Sequence, residues 1–306
     1  MSSKLLAGVA IPPLLVASLV VGSGAAKADS LPDALGPREL GTGEARRAAA
    51  TGSTAAVLNP AGAALTRSYV IEISGGLRPD DGDEADVFAV SICDSVTSRA
   101  AACISYNYLQ NESIESFHNV GLTTAVPLSE RFFVGLTNRY LSLDDAAAAA
   151  GTGTETGTEN GSTKGWSLDG GIVVKPVSVL GLAVVGHNLF SSGMSDADSP
   201  RSVGFGAALT PVPKLLVAAD AQWRIEEDRS VRYGMGAEYF LSEQGGEHGM
   251  PLRLGYVYDD NESQSFLTGG IGYVTPRIAL DFGVRKQVAG GSALTLQLGL
   301  RLFFQS

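Results

Sequence analysis

The sequence predicts an all-β protein: a transmembrane outer-membrane β-barrel of about 14 antiparallel strands, preceded by a short helical segment. Three observations carry this. From residue 69 to residue 304, apolar side chains alternate at period two with Gly, polar and charged ones, in runs of roughly ten residues. Fourteen such runs can be counted, and an even number lets a barrel close with both chain ends on one side. The connections alternate between tight Pro-bearing turns and longer polar stretches.

Residues 1–28 read as a cleaved signal peptide. Lys4 precedes an apolar run, and Ala26-Lys27-Ala28 supplies a small-x-small cleavage site. A membrane anchor fits less well, because Pro12-Pro13 interrupts the run and shortens it below a ~20-residue span. The expected location is therefore the cell outer membrane of a Gram-negative-type bacterium. Cleavage removes two Lys and no acid, leaving 20 basic against 32 acidic residues in 278, a formal charge of −12. That balance argues against nucleic acid as a partner. With three His and two Cys, no metal-ligand cluster is visible, and no cofactor is expected.

The strand runs fall at about 69–77, 85–93, 101–109, 115–126, 131–143, 165–175, 177–188, 201–211, 213–226, 229–241, 251–259, 264–275, 277–286 and 292–304, the weakest being 85–93 and 201–211. In ALTLQLGLRLFF (293–304), five Leu share one face and Thr295, Gln297, Gly299 and Arg301 the other. Gly on a water-facing sheet would only weaken it. Facing a crowded lumen, it leaves room. PLSER, KPV, TPVPK and TPR are tight turns, expected on the periplasmic side. DDNESQS and DDAAAAAGTGTETGTENGST (144–163) are long loops on the other side, and the low-complexity part at 146–163 is expected to be mobile.

Cys93 and Cys103 are equidistant from Ser98, so a hairpin centred there sets them opposite each other with both side chains toward the lumen. In an oxidising compartment a Cys93–Cys103 disulfide is expected. The alternative is a pair of free, buried small residues. His118, His187 and His248 share no spacing. His187-Asn188 invites comparison with lipid hydrolases, but neighbours in a strand point to opposite faces, so no catalytic residues are assigned and the protein is not read as an enzyme.

The charges on the lumen face are Glu72, Asp169, Lys175, Asp220, Arg224, Arg232, Glu238, Arg253, Asp281, Arg285 and Arg301. One reading is a bracing network of ion pairs. The other is that Arg232, Arg253, Arg285 and Arg301 hold the head group of an amphipathic ligand, with Leu216 and Phe240 contributing an apolar pocket. Asp259, Asp260 and Asn261 lie close together, but no twelve-residue Ca²⁺ loop surrounds them.

Upstream of the strands stand Gly36-Pro37-Arg38, Gly41-Thr42-Gly43-Glu44-Ala45-Arg46 and AAVLNPAGAAL (55–65). Asn59 is suited to cap a helix and Pro60 to its first position. This segment resembles the start of the long-chain fatty acid transporter (FadL-like) family of outer-membrane proteins, whose Asn-Pro-Ala-Gly motif matches Asn59, Pro60, Ala61 and Gly62. Similar openings occur in PorV/PorQ-type 14-stranded barrels, which serve protein secretion. The resemblance implies that 29–68 is a plug inside a barrel formed by 69–306, and that hydrophobic small molecules such as long-chain fatty acids enter from outside and leave through a gap in the wall. EARRAAAT (44–51) is expected to form one or two helical turns ended by Gly52, with a second short helix from Asn59.

There are two departures from the family pattern: the third strand, AACISYNYL, lacks the Gly or Pro that would kink it, and the chain is short. The function implied is passive uptake of hydrophobic molecules, the alternative being a non-transporting scaffold barrel that binds a protein partner. Outer-membrane lipids and the barrel assembly machinery, which reads a C-terminal aromatic residue such as Phe304, are the other expected partners. Here Gln305-Ser306 follow that residue.

Overall fold

The computed structural model describes residues 35–78, 85–110, 116–144, 162–194, 199–225, 230–242 and 248–304. The expected signal peptide, nearly all of the low-complexity stretch 146–163, and Gln305-Ser306 lie outside them.

Fourteen strands form one closed antiparallel barrel. They are β1 (Tyr69–Arg78), β2 (Ala85–Asp94), β3 (Ala101–Gln110), β4 (Ser116–Pro127), β5 (Phe132–Asp144), β6 (Ser162–Val177), β7 (Leu180–Ser192), β8 (Ser202–Val212), β9 (Leu215–Arg224), β10 (Val231–Ser242), β11 (Gly249–Asp259), β12 (Gln264–Val274), β13 (Ile278–Ala289) and β14 (Leu294–Phe304). Both runs that alternated most weakly are therefore strands, β2 and β8. Each strand pairs with its sequence neighbours, and β1 meets β14 with Tyr69 opposite Phe304, their rings edge-on at 5.4 Å. Closure removes the free edges that an open sheet would present.

The alternation has the physical meaning expected of it. Outward residues are large and apolar, and they stay exposed in the isolated chain: Leu254 by 68%, Leu298 by 65%, Ile104 by 61%. A band of that kind all round the molecule suits hydrocarbon, not water. Inward residues are small or polar and almost wholly buried, among them Thr123, Thr137, Asp169 and Gln297. The tight turns gather at one end, here the turn side, with both termini of the barrel. The opposite end of the barrel is the loop side.

Cys93 and Cys103 sit directly opposite each other on β2 and β3 and are joined by a disulfide. Both are buried on the lumen side.

Residues 35–65 fill the lumen. Helix α1 spans Pro37–Gly41, helix α2 spans Ser53–Leu58, and a 3₁₀ helix runs over Pro60–Ala64. Asn59 caps the last of these, its Oδ1 accepting from Ala61 N at 3.1 Å, with Pro60 at the first position. The stretch 44–51 is not a helix, which corrects the expectation. Gly43 and Glu44 have left-handed backbones (φ 64° and 60°), and the Arg47 N–H goes to the Asp220 carboxylate on β9 instead of a carbonyl four residues back. Bonds to the wall outcompete a helix that has no apolar face of its own.

Candidate functional site: the plugged lumen

Glycines on the wall let the plug approach closely. A Cβ at Gly135 would stand 2.5 Å from Ala61 N, and one at Gly283 would stand 2.5 Å from Pro37 O. Gly171 faces the Asn59 side chain in the same way, while Gly236 and Gly255 face Thr42 and Gly43. A side chain at Gly135, Gly236, Gly255 or Gly283 would meet plug backbone, and one at Gly171 the side chains of Asn59 and Pro60.

Ionic anchors then fix the plug to β9, β10 and β13. Glu44 takes Arg232 on both carboxylate oxygens (Nε and Nη2, each 2.9 Å) and Arg285 Nη1 at 2.9 Å. Burial alone would push the Glu44 carboxyl up, but the two guanidiniums hold it below the ordinary carboxylate range. They also offset the backbone strain of roughly 1–3 kcal/mol that a left-handed non-Gly residue carries. Arg232 reaches on to Asp259 at 2.6 Å, and the Phe266 ring lies beneath Arg232 and Arg285.

Arg46 begins a chain of ion pairs across the wall. It pairs with Glu238 (3.1 Å), which meets Arg253 (2.6 Å); Arg253 meets Asp281 (2.8 Å), and Asp281 meets Arg301 (2.8 Å). Arg47 reaches Asp220 at 3.2 Å and also Gln222. All four arginines singled out in the sequence are thus engaged by carboxylates, two of them by Glu44 of the plug. Leu216 packs against the small residues of the plug, including Ala45 and Ala48, and the Phe240 ring lies over Gly249.

A second anchor lies across the lumen. Arg139 on β5 donates to the carbonyls of Ala56 (3.3 Å) and Val57 (3.4 Å), the orphan groups at the C-terminal end of α2, and pairs with Asp169. Asp169 also holds His187 Nδ1 at 3.0 Å and Asn188 N at 2.9 Å. Here a β-bulge on β7 overturns the strand argument. Pairing with β6 jumps from Leu168–Phe190 to Gly170–Gly186, and Asn188 takes φ 54°. His187 and Asn188 therefore both point inward, exposed by 2% and 3%. His118, by contrast, is on the outer face, bonded to Tyr106 Oη at 2.8 Å, and His248 stacks on Tyr273.

Sequence reading passed over Arg139, the lumenal role of Asp259, which it had placed in an outer acidic cluster, and the inward apolar cluster of Leu109, Phe117 and Leu141 near the loop side. All three lie in the inward phase of their strands, so the phase was the available signal. The cavities that border the plug among the described residues are small. The cavity bordered by Glu44, Arg47, His187, Gln222 and Arg232 offers about 20 Å³ to the centre of a water-sized sphere. That is one or two waters, not an acyl chain. A larger space lies outside: an apolar groove of about 500 Å³ on the outward face of β4–β7, floored by Gly170 and Gly186 and bordered by Leu136, Ile172 and Leu189.

These features define a class: a closed fourteen-strand transmembrane barrel of the outer-membrane type, with its N-terminal segment packed in the lumen. Solved structures of outer-membrane transport proteins resemble it in fold. The Pseudomonas putida toluene transporter TodX aligns with a TM-score of 0.59 at 12% identity, over 87% of this chain and 99% of that one. Its deltaS2 mutant aligns at 0.63 and 11%, over 89% and 99%. A Pseudomonas aeruginosa FadL homologue aligns at 0.55 and 12%, over 88% and 98%. At such identities the likeness establishes a shared FadL-like fold. No protein-family model and no curated protein sequence matches the chain.

Proposed function

We propose that this protein is an outer-membrane barrel for passive uptake of hydrophobic small molecules, long-chain fatty acids among them. The observation that carries this reading is the irregular wall between β6 and β7. The third strand is regular, pairing with β2 and β4 without a shift. The break lies at Asp169 and the bulged His187–Asn188, under the outer apolar groove and just in front of Asn59, Pro60 and Ala61 of the plug. A ligand carboxylate would compete with Glu44 for Arg232 and Arg285, with Arg253 and Arg301 further along the same ion-pair chain. Release of Glu44 loosens the plug, and the ligand leaves sideways into the groove with no chemistry. The fold shared with a toluene transporter and a FadL homologue supports the same reading.

The test is uptake of labelled oleate and labelled toluene by cells with and without the protein, and with Gly186→Leu, which fills the groove. Uptake that depends on the protein and falls in the variant is expected. Equal uptake with and without the protein ends this reading. The lumen packed with ion pairs favours a second one, a non-transporting scaffold barrel that binds a protein partner. In that case uptake is flat and the protein co-purifies with one defined partner from gently solubilised membranes.

A further inference from the structure

Six lumenal carboxylates, the buried Glu44, Asp169, Asp220, Asp259 and Asp281 and the half-buried Glu238, each lie within ion-pair distance of an arginine. Among the described residues Glu39 of α1 and Glu72 of β1 do not, and they share one cavity. Oxygens of both carboxylates come within 4 Å of the position a Cβ would take at Gly36. The rest of the lining is rich in oxygen: Ser53, Thr54, Ser74, Ser91, Ser105 and Asn107. Ser91, only 3% exposed, has a hydroxyl with no partner, and so does one oxygen of Glu72, which is 4% exposed. Groups so deeply buried are expected to be satisfied. The room is about 20 Å³ for the centre of a water-sized sphere, enough for one small ion and too little for an organic ligand.

We propose that this cavity binds one hard, oxygen-seeking cation, Ca²⁺, which ties the plug to β1 through Glu39 and Glu72. The chemistry fits. Two carboxylates, several hydroxyls and an amide carbonyl supply the six to eight oxygens that Ca²⁺ prefers, in a setting of mixed and adjustable geometry. The position also fits, because the direct ionic anchors of the plug go to β9, β10 and β13 and none reaches β1–β3 among the described residues. Three guanidiniums lie within electrostatic range, Arg301, Arg38 and Arg46, the last already paired with Glu238 at 3.1 Å. Arg301 is committed to Asp281 through Nε (3.1 Å) and Nη2 (2.8 Å). Arg38, beside Glu39 on α1, opposes the ion and limits its affinity. This inference stands on the plug geometry alone and does not depend on the transport reading.

The experiment uses the full purified protein in detergent, stripped of metal, with Ca²⁺ as the probe in equilibrium dialysis. One Ca²⁺ per chain is expected, at an affinity on the order of 0.1–1 mM. Glu39→Gln and Glu72→Gln should each weaken it about tenfold or more, and Arg38→Gln should tighten it. Ser91→Ala separates a ligand from a mere defect. Removing an unpaired buried hydroxyl is neutral or stabilising for the fold, whereas a ligand role costs Ca²⁺ affinity several-fold. Heat-modified gel mobility verifies that each variant is a folded barrel. Binding that survives Glu72→Gln unchanged places the ion on the acidic loops and overturns the proposal. So does absence of binding, or equal retention of Na⁺ at matched ionic strength.

Discussion

Glu44 of the plug and Arg285 of β13 stand 2.9 Å apart, and the same carboxylate accepts from Arg232 of β10 on both of its oxygens. One plug residue thus spans two wall strands that are not neighbours, so any outward movement of the plug must break both contacts at once.

Glu44→Gln should therefore free the plug. Removing one partner of a buried charged pair costs about 3–5 kcal/mol, because the other charges stay buried and unmatched. Trypsin should cut after Arg46 or Arg47 in the variant far faster than in the parent, read by mass spectrometry of the released N-terminal peptide, while the barrel remains intact.

The same anchor should respond to pH. Its folded carboxyl titrates below the ordinary value of 4.5, so the stabilisation is fully present above that value and is lost as pH falls through the lower folded value. Trypsin-independent probes are needed in acid. Planar-bilayer conductance should be flat from neutral pH down to about 5 and rise below 4.5. Glu44→Gln should abolish that rise. A rise centred near neutrality would point to a different group.

The wall glycines make a steric prediction. Gly135→Leu or Gly255→Leu puts a side chain where plug backbone lies, and overpacking of this kind costs typically about 1–3 kcal/mol. Both variants should assemble as heat-modifiable barrels and should show raised conductance. Gly170→Leu faces outward and should leave conductance unchanged, although its position on the floor of the groove should reduce uptake.

The disulfide closes a short loop. With a separation of 10 residues, chain-entropy reasoning gives it up to about 3 kcal/mol. Cys93→Ala with Cys103→Ala should lower the urea midpoint for barrel unfolding. Because both cysteines pack with Ala55, Val57 and Leu58 of the plug, plug protection should fall as well. An unchanged midpoint would show that closure of the barrel already supplies the constraint.

Much of this was legible beforehand. Period two is a local property, so strand count, strand phase and the two kinds of connection could be read from residues 69–304 without any tertiary contact. The Cys93–Cys103 pairing followed from hairpin symmetry, and the cap at Asn59 from its neighbour Pro60. What escaped was set by distant partners. The segment 44–51 has the composition of a helix and is not one, because Asp220 and Glu238 claim its polar groups. His187 and Asn188 should face opposite ways and do not, because Asp169 stabilises a bulge that no pattern of apolar residues encodes.

The sequence by itself determined a fourteen-strand barrel, which face of each strand meets lipid, and which segment precedes the wall. Only the tertiary structure decided which charges meet. Coulomb attraction and hydrogen bonding depend on separations across the lumen, and those are set by the path the plug takes between glycines on opposite walls. Six lumenal acids gained arginines, and Glu39 and Glu72 came together without one.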